Sequence, residues 1–308
     1  MGKIAFLFAG QGAQYSGMGK DLYDNSKAAK KVFDMADSLR PGTAAQCFSG
    51  TQEELSQTCN TQPCIFCVDL AAAHALAEHG LACNAVAGFS LGEIAAITYA
   101  GMLSAEEGFK LVCRRSELMD AAGKDVKSIM AAVLKLDNAK VEELASRYDH
   151  IYPVNYNCPG QLVVSGAPEE MDQFKLDVKS AGGRYLQLPV SGGFHSPFMA
   201  KAAEEFAKEL LKFSFKTSNI DIYSNYTSKK YVTGATQVQE LLTNQIKSPV
   251  KWQNLIENMI ADGVDTFIEC GPGHTLSGFV AKINPGVRIF NVENSQDAAR
   301  VAEEIKNA

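Results

Sequence analysis

Gly88-Phe89-Ser90-Leu91-Gly92 is the stretch on which the reading of this chain turns. An apolar run, Ala85-Val86-Ala87, leads into it, and Glu93-Ile94-Ala95-Ala96-Ile97 leads out as helix. A serine between strand and helix, with glycine two places to either side, is the pattern of a nucleophile elbow. The glycines lack Cβ, so the chain can turn sharply enough to hold a hydroxyl out while another backbone segment approaches it. The amides that follow, beginning with Leu91, point from a helix N-terminus toward any negative charge that forms beside Ser90. An ordinary glycine-rich strand-to-helix turn is the plain alternative, and the surrounding sequence has to decide between the two.

Outward from the elbow, strand-like and helical runs alternate. Lys3 to Phe8 reads as a strand, Asp21 to Leu39 as a helix, and a further helix opens at Pro63 and ends at Gly80. Helices also follow Ser90 and Ser104. This is the rhythm of a parallel α/β sheet. From Lys124 the texture changes. Ile129 to Leu134, Ile151 to Asn155, Gln161 to Ser165 and Arg184 to Val190 read as strands, with helices over Ala139 to Arg147 and Pro168 to Ala181. That βαββαβ order suits a small ferredoxin-like unit. After Ser191-Gly192-Gly193 a helical pattern resumes from Pro197 to Lys212, followed by strands near Ile220 to Ser224, Thr266 to Cys270 and Arg288 to Val292. The expected fold class is therefore α/β: a large α/β-hydrolase-like subdomain with a parallel sheet, residues 1–123 and 194–308, and an inserted ferredoxin-like small subdomain, 124–193.

The chain has 308 residues, 46% hydrophobic and 21% charged, enough to bury a large core. A net charge of -6 argues against nucleic acid as a partner, because such a binder needs a strongly basic face. Met1-Gly2-Lys3-Ile4-Ala5-Phe6-Leu7-Phe8 has one cation and too short an apolar run for a signal peptide, and Phe6 spoils a myristoylation pattern. No uncharged stretch is long enough to span a membrane. A cytoplasmic monomer is the expected state. The eight cysteines read as reduced and mostly buried. Cys64-Ile65-Phe66-Cys67 falls at the expected helix beginning after Pro63, where a thiol pKa is lowered, so a redox pair is one reading and core packing the other. With no second CxxC, no metal site is expected.

A serine hydroxyl needs a base, and histidine is the usual one. His74 and His79 lie on an alanine-rich helix and His150 in a polar turn, so all three read as structural or surface residues. His195, after Gly192-Gly193, and His274, after Gly271-Pro272-Gly273, both follow strands, where α/β sheets place their sites. Sequence pattern alone leaves these two level. Ser104 and Glu107 form a capping box, and on the helix they open, Leu111, Arg115 and Leu118 share one face while Arg114 aligns with Lys110 and Glu117 on a wetter one. An inward arginine requires an anion: an internal Asp or Glu, or a ligand carboxylate matching its planar fork. Gly10-Gln11-Gly12-Ala13-Gln14 fails the phosphate-loop patterns, since Met18 follows Gly17 and Tyr15 breaks GxGxxG. It reads either as a tight turn or as the source of a second oxyanion donor.

Together these segments resemble the malonyl-CoA:acyl carrier protein transacylase family, the acyltransferases that load fatty acid and polyketide synthesis, over almost the whole chain. The resemblance implies Ser90 as nucleophile and His195, in Phe194-His195-Ser196-Pro197, as its base, which decides against His274. It implies the Gln11 and Leu91 amides as the oxyanion hole, and Gln245, in Gln245-Ile246-Lys247-Ser248-Pro249, as the residue whose backbone carbonyl orients the histidine. Arg115 with Met119 resembles the family's RxxxM helix, whose arginine holds the malonyl carboxylate. Asn155-Tyr156-Asn157 resembles the motif lining the cleft from the small subdomain, making Asn157 a substrate contact. Phe194 resembles malonyl-selective members. Phe89 stands where the family usually has histidine, which changes the acyl pocket's lining and removes no proton-transfer group.

The implied activity is ping-pong transfer of malonyl from malonyl-CoA to the phosphopantetheine thiol of acyl carrier protein, through malonyl-Ser90, for fatty acid biosynthesis. Coenzyme A thioester is then a substrate, and no cofactor is expected. The rival readings are a serine esterase or thioesterase, which generally sets an acid behind its histidine, a discrete polyketide-synthase acyltransferase, and an idle carrier-binding module.

Overall fold

The structure, a computed structural model, describes residues 2–190, 192–231 and 234–307. Ser191, in the expected joining loop, lies outside the described residues. The described strands are β1 (Lys3–Phe8), β2 (Ala85–Gly88), β3 (Ile129–Leu134), β4 (Ile151–Cys158), β5 (Gln161–Gly166), β6 (Arg184–Gln187), β7 (Asp221–Ile222), β8 (Val264–Cys270) and β9 (Arg288–Val292).

Five of them form a parallel sheet in the order β7-β2-β1-β8-β9. Its centre is built from runs apolar on both faces, Ile4-Ala5-Phe6-Leu7-Phe8 and Ala85-Val86-Ala87, all buried under helices. A strand covered on both sides has no need of polar alternation. The register pairs Phe8 with Gly88 on one side and with Cys270 on the other. The C-terminal ends of β1, β2 and β8 therefore finish level, and the loops after them, Gly10-Gln11, Phe89-Ser90 and Gly271-Pro272, gather at one edge of the sheet. That edge is where parallel α/β sheets place their ligands.

The other four strands form an antiparallel sheet, β4-β5-β3-β6. Here the pleat sorts the side chains. Ala131 and Val133 pack with Phe174 and Val178 of the Pro168–Ser180 helix. Met130, Ala132 and Val163 instead join the core of the large unit. The small sheet thus turns one face toward the elbow. The expected α/β fold with a parallel sheet and a second, ferredoxin-like sheet is what the chain forms, and among the described residues no helix is long and apolar enough to cross a membrane.

Two local expectations fail, at Ser26 and at Pro63. The helix expected over Asp21 to Leu39 is two, Lys20–Asn25 and Lys27–Leu39, because the Ser26 hydroxyl accepts from the Ala29 amide at 3.0 Å and starts a new helix. The helix expected to open at Pro63 begins earlier, at Thr58, with Pro63 inside it. Cys64 and Cys67 consequently lie past the first turn and are buried, and burial pushes the Cys67 thiol well above its ordinary value. This favours core packing over a redox pair.

Candidate active site

Ser90 has φ +54°, in the left-handed region that residues bearing a Cβ seldom occupy. The turn is possible because its flanks are glycines. A Cβ on Gly88 would overlap the carbonyl carbon of Gly92, and one on Gly92 would overlap the carbonyl oxygens of Phe8 and Ala9. Strand, turn and the loop after β1 are therefore in backbone contact. Gly88→Ala should cost about 3 kcal/mol in strain, the scale of forced overpacking, and a thermal melt will read it as a drop in Tm.

The serine meets a histidine. Ser90 Oγ lies 2.7 Å from His195 Nε2. His195 Nδ1 lies 2.8 Å from the Gln245 carbonyl oxygen. A carbonyl only accepts, so Nδ1 carries the proton and Nε2 is left with the lone pair that faces the hydroxyl. His195 is buried, and burial, with the nearby Arg115 guanidinium, lowers its pKa to about 3, which keeps the imidazole neutral. The group behind it is a carbonyl rather than the carboxylate of the esterase pattern. His274 is elsewhere, exposed and 2.9 Å from Glu293, and His150 pairs at the surface with Glu170.

Arg115 is fully buried on the Ala105–Asp125 helix, whose capping box forms as expected. Its Nη2 donates to Ser90 Oγ at 3.1 Å and to Gln245 Oε1 at 2.8 Å, and its Nη1 donates to Gln62 Oε1 at 2.7 Å. Its Nε has no partner among the described residues. Burial lowers its pKa to about 10, opposed by the charge of Glu93, so it remains a cation. Among the described residues no carboxylate bonds it; neutral amide oxygens do. A guanidinium so placed has donors in reserve for an anion beside Ser90. Arg114 takes the wet face and pairs with Glu117 at 2.9 Å.

The remaining sequence-selected residues surround the same space. Gln11, Met119, Phe194 and Phe89 line a cavity that Ser90 and His195 open into. Among the described residues neither the Gln11 nor the Leu91 amide N–H donates to an acceptor of the chain, although Leu91 is fully buried. Leu91 adjoins Ser90 in the chain and Gln11 lines the same cavity as Ser90, so both N–H groups are available to an oxygen bound there. A neighbouring cavity is lined by Gln11, Phe89 and Asn157, and the buried Oδ1 of Asn157 has no partner among the described residues. Phe89 packs against Trp252, with ring centroids 5.4 Å apart, and against Phe279 at 6.3 Å, forming an apolar wall.

Three contributors escaped the sequence reading. Gln62 holds the guanidinium while its Nε2 rests 3.6 Å from Met119 Sδ. Glu93, wholly buried, accepts from Tyr231 at 2.6 Å and from Gln245 Nε2 at 2.7 Å, and burial pushes its carboxyl up to about 7. Asn225 accepts from the Ser90 amide at 2.7 Å. Only Glu93 left a trace in the sequence, as a single charge in an otherwise apolar helix.

With this geometry in view, the likenesses of the chain acquire meaning. Residues 5–306 match the acyl transferase domain family. The malonyl CoA-acyl carrier protein transacylase of Bacillus subtilis is 36% identical over 312 residues, spanning 99% of this chain and 98% of that one. The transacylase of the same name from Staphylococcus aureus strain MRSA252 is 37% identical over 306 residues, 96% of this chain and 97% of its own. The crystal structure of the Clostridium perfringens malonyl CoA-acyl carrier protein transacylase superposes with a TM-score of 0.93 at 38% identity, covering 99% of this chain and 98% of that one. A malonyl-transacylase solved in complex with its type II PKS acyl-carrier protein superposes with a TM-score of 0.93 at 29% identity, covering 98% and 99%. Likeness over the full length, joined to a buried serine bonded to both a histidine and an arginine, makes the chain a member of the acyl transferase family, among the malonyl CoA-acyl carrier protein transacylases.

Proposed function

We propose that this acyltransferase moves the malonyl group from malonyl-CoA to the phosphopantetheine thiol of acyl carrier protein, by a ping-pong path through malonyl-Ser90, in the cytoplasm and in the service of fatty acid biosynthesis. The observation that carries the reading is the Ser90 hydroxyl held at once by His195 Nε2 at 2.7 Å and Arg115 Nη2 at 3.1 Å. A base and a buried cation on one hydroxyl suit an acyl donor that ends in a carboxylate.

His195 Nε2 takes the Ser90 proton as the oxygen attacks the thioester carbonyl. The Gln11 and Leu91 amides receive the oxyanion. Collapse expels the coenzyme A sulfur, which takes the proton back from His195 and leaves malonyl-Ser90. The carrier thiol then gives its proton to His195 and attacks the ester carbonyl, and Ser90 departs reprotonated. Throughout, Arg115 pairs with the malonyl carboxylate, its fork oriented by the Gln62 and Gln245 side chains. That pairing also offsets the Arg115 field, which after burial is the lesser of the two causes that lower His195. Met119, Phe194 and Phe89 bound the acyl space, and Asn157 offers its unpartnered amide oxygen to the incoming thioester arm.

The free protein should keep His195 neutral well into acid. In a histidine-labelled sample, the Nε2 resonance is expected to stay at its deprotonated position from about pH 8 to about pH 5, and titration near pH 6.5 would contradict this environment. The unfolded chain binds this proton near 6.5 and the folded one near 3, so stability from this group is complete above 6.5 and erodes as pH falls between the two.

The functional test is a transfer assay with purified protein, holo acyl carrier protein and malonyl-, acetyl- or methylmalonyl-CoA. Malonyl should appear on the carrier in preference to the other two, with little free malonate in the carrier's absence. Rapid malonate release without carrier would make the protein a hydrolase and refute the transfer reading.

A further inference from the structure

We propose that Asn225 is a positioning residue that holds the Ser90 elbow in its working conformation, itself anchored by the buried Glu93. The inference rests on the reading of Ser90 as nucleophile and deepens it. A left-handed backbone on a residue with a Cβ persists only when its surroundings over-determine it. Asn225 supplies that constraint from across the turn. Its Oδ1 accepts from the Ser90 amide at 2.7 Å, and its Nδ2 donates to the Gly88 carbonyl at 2.7 Å. One fully buried side chain therefore spans both backbone arms of the elbow. A primary amide is suited to this, since it carries acceptor and donor on the same fork.

Asn225 is held in turn. Its own amide donates to Glu93 Oε2 at 3.2 Å, and its carbonyl accepts from the Lys251 amide at 2.9 Å. The same Glu93 oxygen accepts from Gln245 Nε2 at 2.7 Å, and Gln245 also donates to the Ser90 carbonyl at 2.8 Å. Because the Gln245 carbonyl orients His195, the elbow and its base hang on one carboxylate. Among the described residues the Asn225 side chain bonds only backbone and none of the reacting atoms, so it acts through the aim of Ser90 Oγ and of the Leu91 amide. Misaim slows the chemical step and leaves substrate affinity alone.

The test compares wild type with Asn225→Ala and Asn225→Asp. The aspartate is isosteric and keeps the acceptor for the Ser90 amide, but it loses the donor and sets a carboxylate oxygen against the Gly88 carbonyl. Folded fraction is read by circular dichroism, and every rate is taken per folded molecule. Two rates are measured: phosphonylation of Ser90 by a small fluorophosphonate, followed by intact mass, and malonyl transfer from malonyl-CoA to holo acyl carrier protein. In both variants, kcat and the phosphonylation rate should fall together by about a hundredfold, with KM within about threefold of wild type. The isosteric variant carries the test should Asn225→Ala not fold. Rates within about threefold of wild type in a folded variant, or a rise in KM at unchanged kcat, would overturn the role of Asn225 while leaving Ser90 as nucleophile. A wild-type protein inert to both reagents would overturn the nucleophile reading and this inference with it.

Discussion

Arg115→Ala should abolish the preference for malonyl over acetyl. The guanidinium is fully buried, and no carboxylate of the described chain neutralises it at bonding distance. A malonyl group entering beside Ser90 brings the missing anion, whereas an acetyl group leaves the cation as it was. Removing one partner of a buried charge pair costs about 3 kcal/mol or more, so malonyl loading should fall at least about a hundredfold. Acetyl loading should hold or improve, because truncation at position 115 relieves the space of an unpaired charge. Loading rates for the two thioesters, measured side by side, check this; a variant that keeps its malonyl preference contradicts the role given to Arg115.

Ser90→Ala should remove the covalent intermediate and, with it, nearly all transfer. Losing the nucleophile from a cooperating serine and histidine typically costs on the order of 10^4 to 10^6 in rate, because the histidine then has nothing to activate. The fold should survive. Alanine lacks the hydroxyl but is held by the same backbone bonds, from its amide to Asn225 and from Gln245 to its carbonyl. A Tm close to wild type, together with no acyl adduct, is the expected pair of results. Retained transfer would mean that another residue attacks the thioester.

The parts of the molecule that were legible in the sequence are those encoded by local pattern. The elbow was readable because glycines at 88 and 92 and an apolar run before them specify a turn that few other sequences can make. Arg115 was readable because helical spacing puts it among Leu111 and Leu118, away from Arg114. The choice between His195 and His274 was not encoded locally: both follow strands, and what separates them is a carbonyl at Gln245, 50 residues beyond His195. Gln62 and Asn225 were silent for a related reason. A neutral amide has no charge and no periodicity of its own, and its importance lies in which backbone or guanidinium it meets after folding. Glu93 was legible in principle, since a carboxylate in a helix buried on every side must find donors. The break at Ser26 escaped because hydrophobic spacing continues through it, and the early start at Thr58 because the turn before Pro63 is polar and buries Thr58, Thr61 and Gln62 instead of apolar residues.

The central claim, that a malonyl group passes through an ester on Ser90, is tested most directly by intact mass. Protein is mixed with malonyl-CoA and no acceptor; one portion is digested and mapped, and holo acyl carrier protein is added to a second, intact portion. One malonyl group should appear on the peptide carrying Ser90, and in the intact portion that mass should be lost on addition of the carrier and recovered on the carrier's thiol. A protein whose mass does not change with malonyl-CoA, or whose adduct maps to another residue, would contradict it.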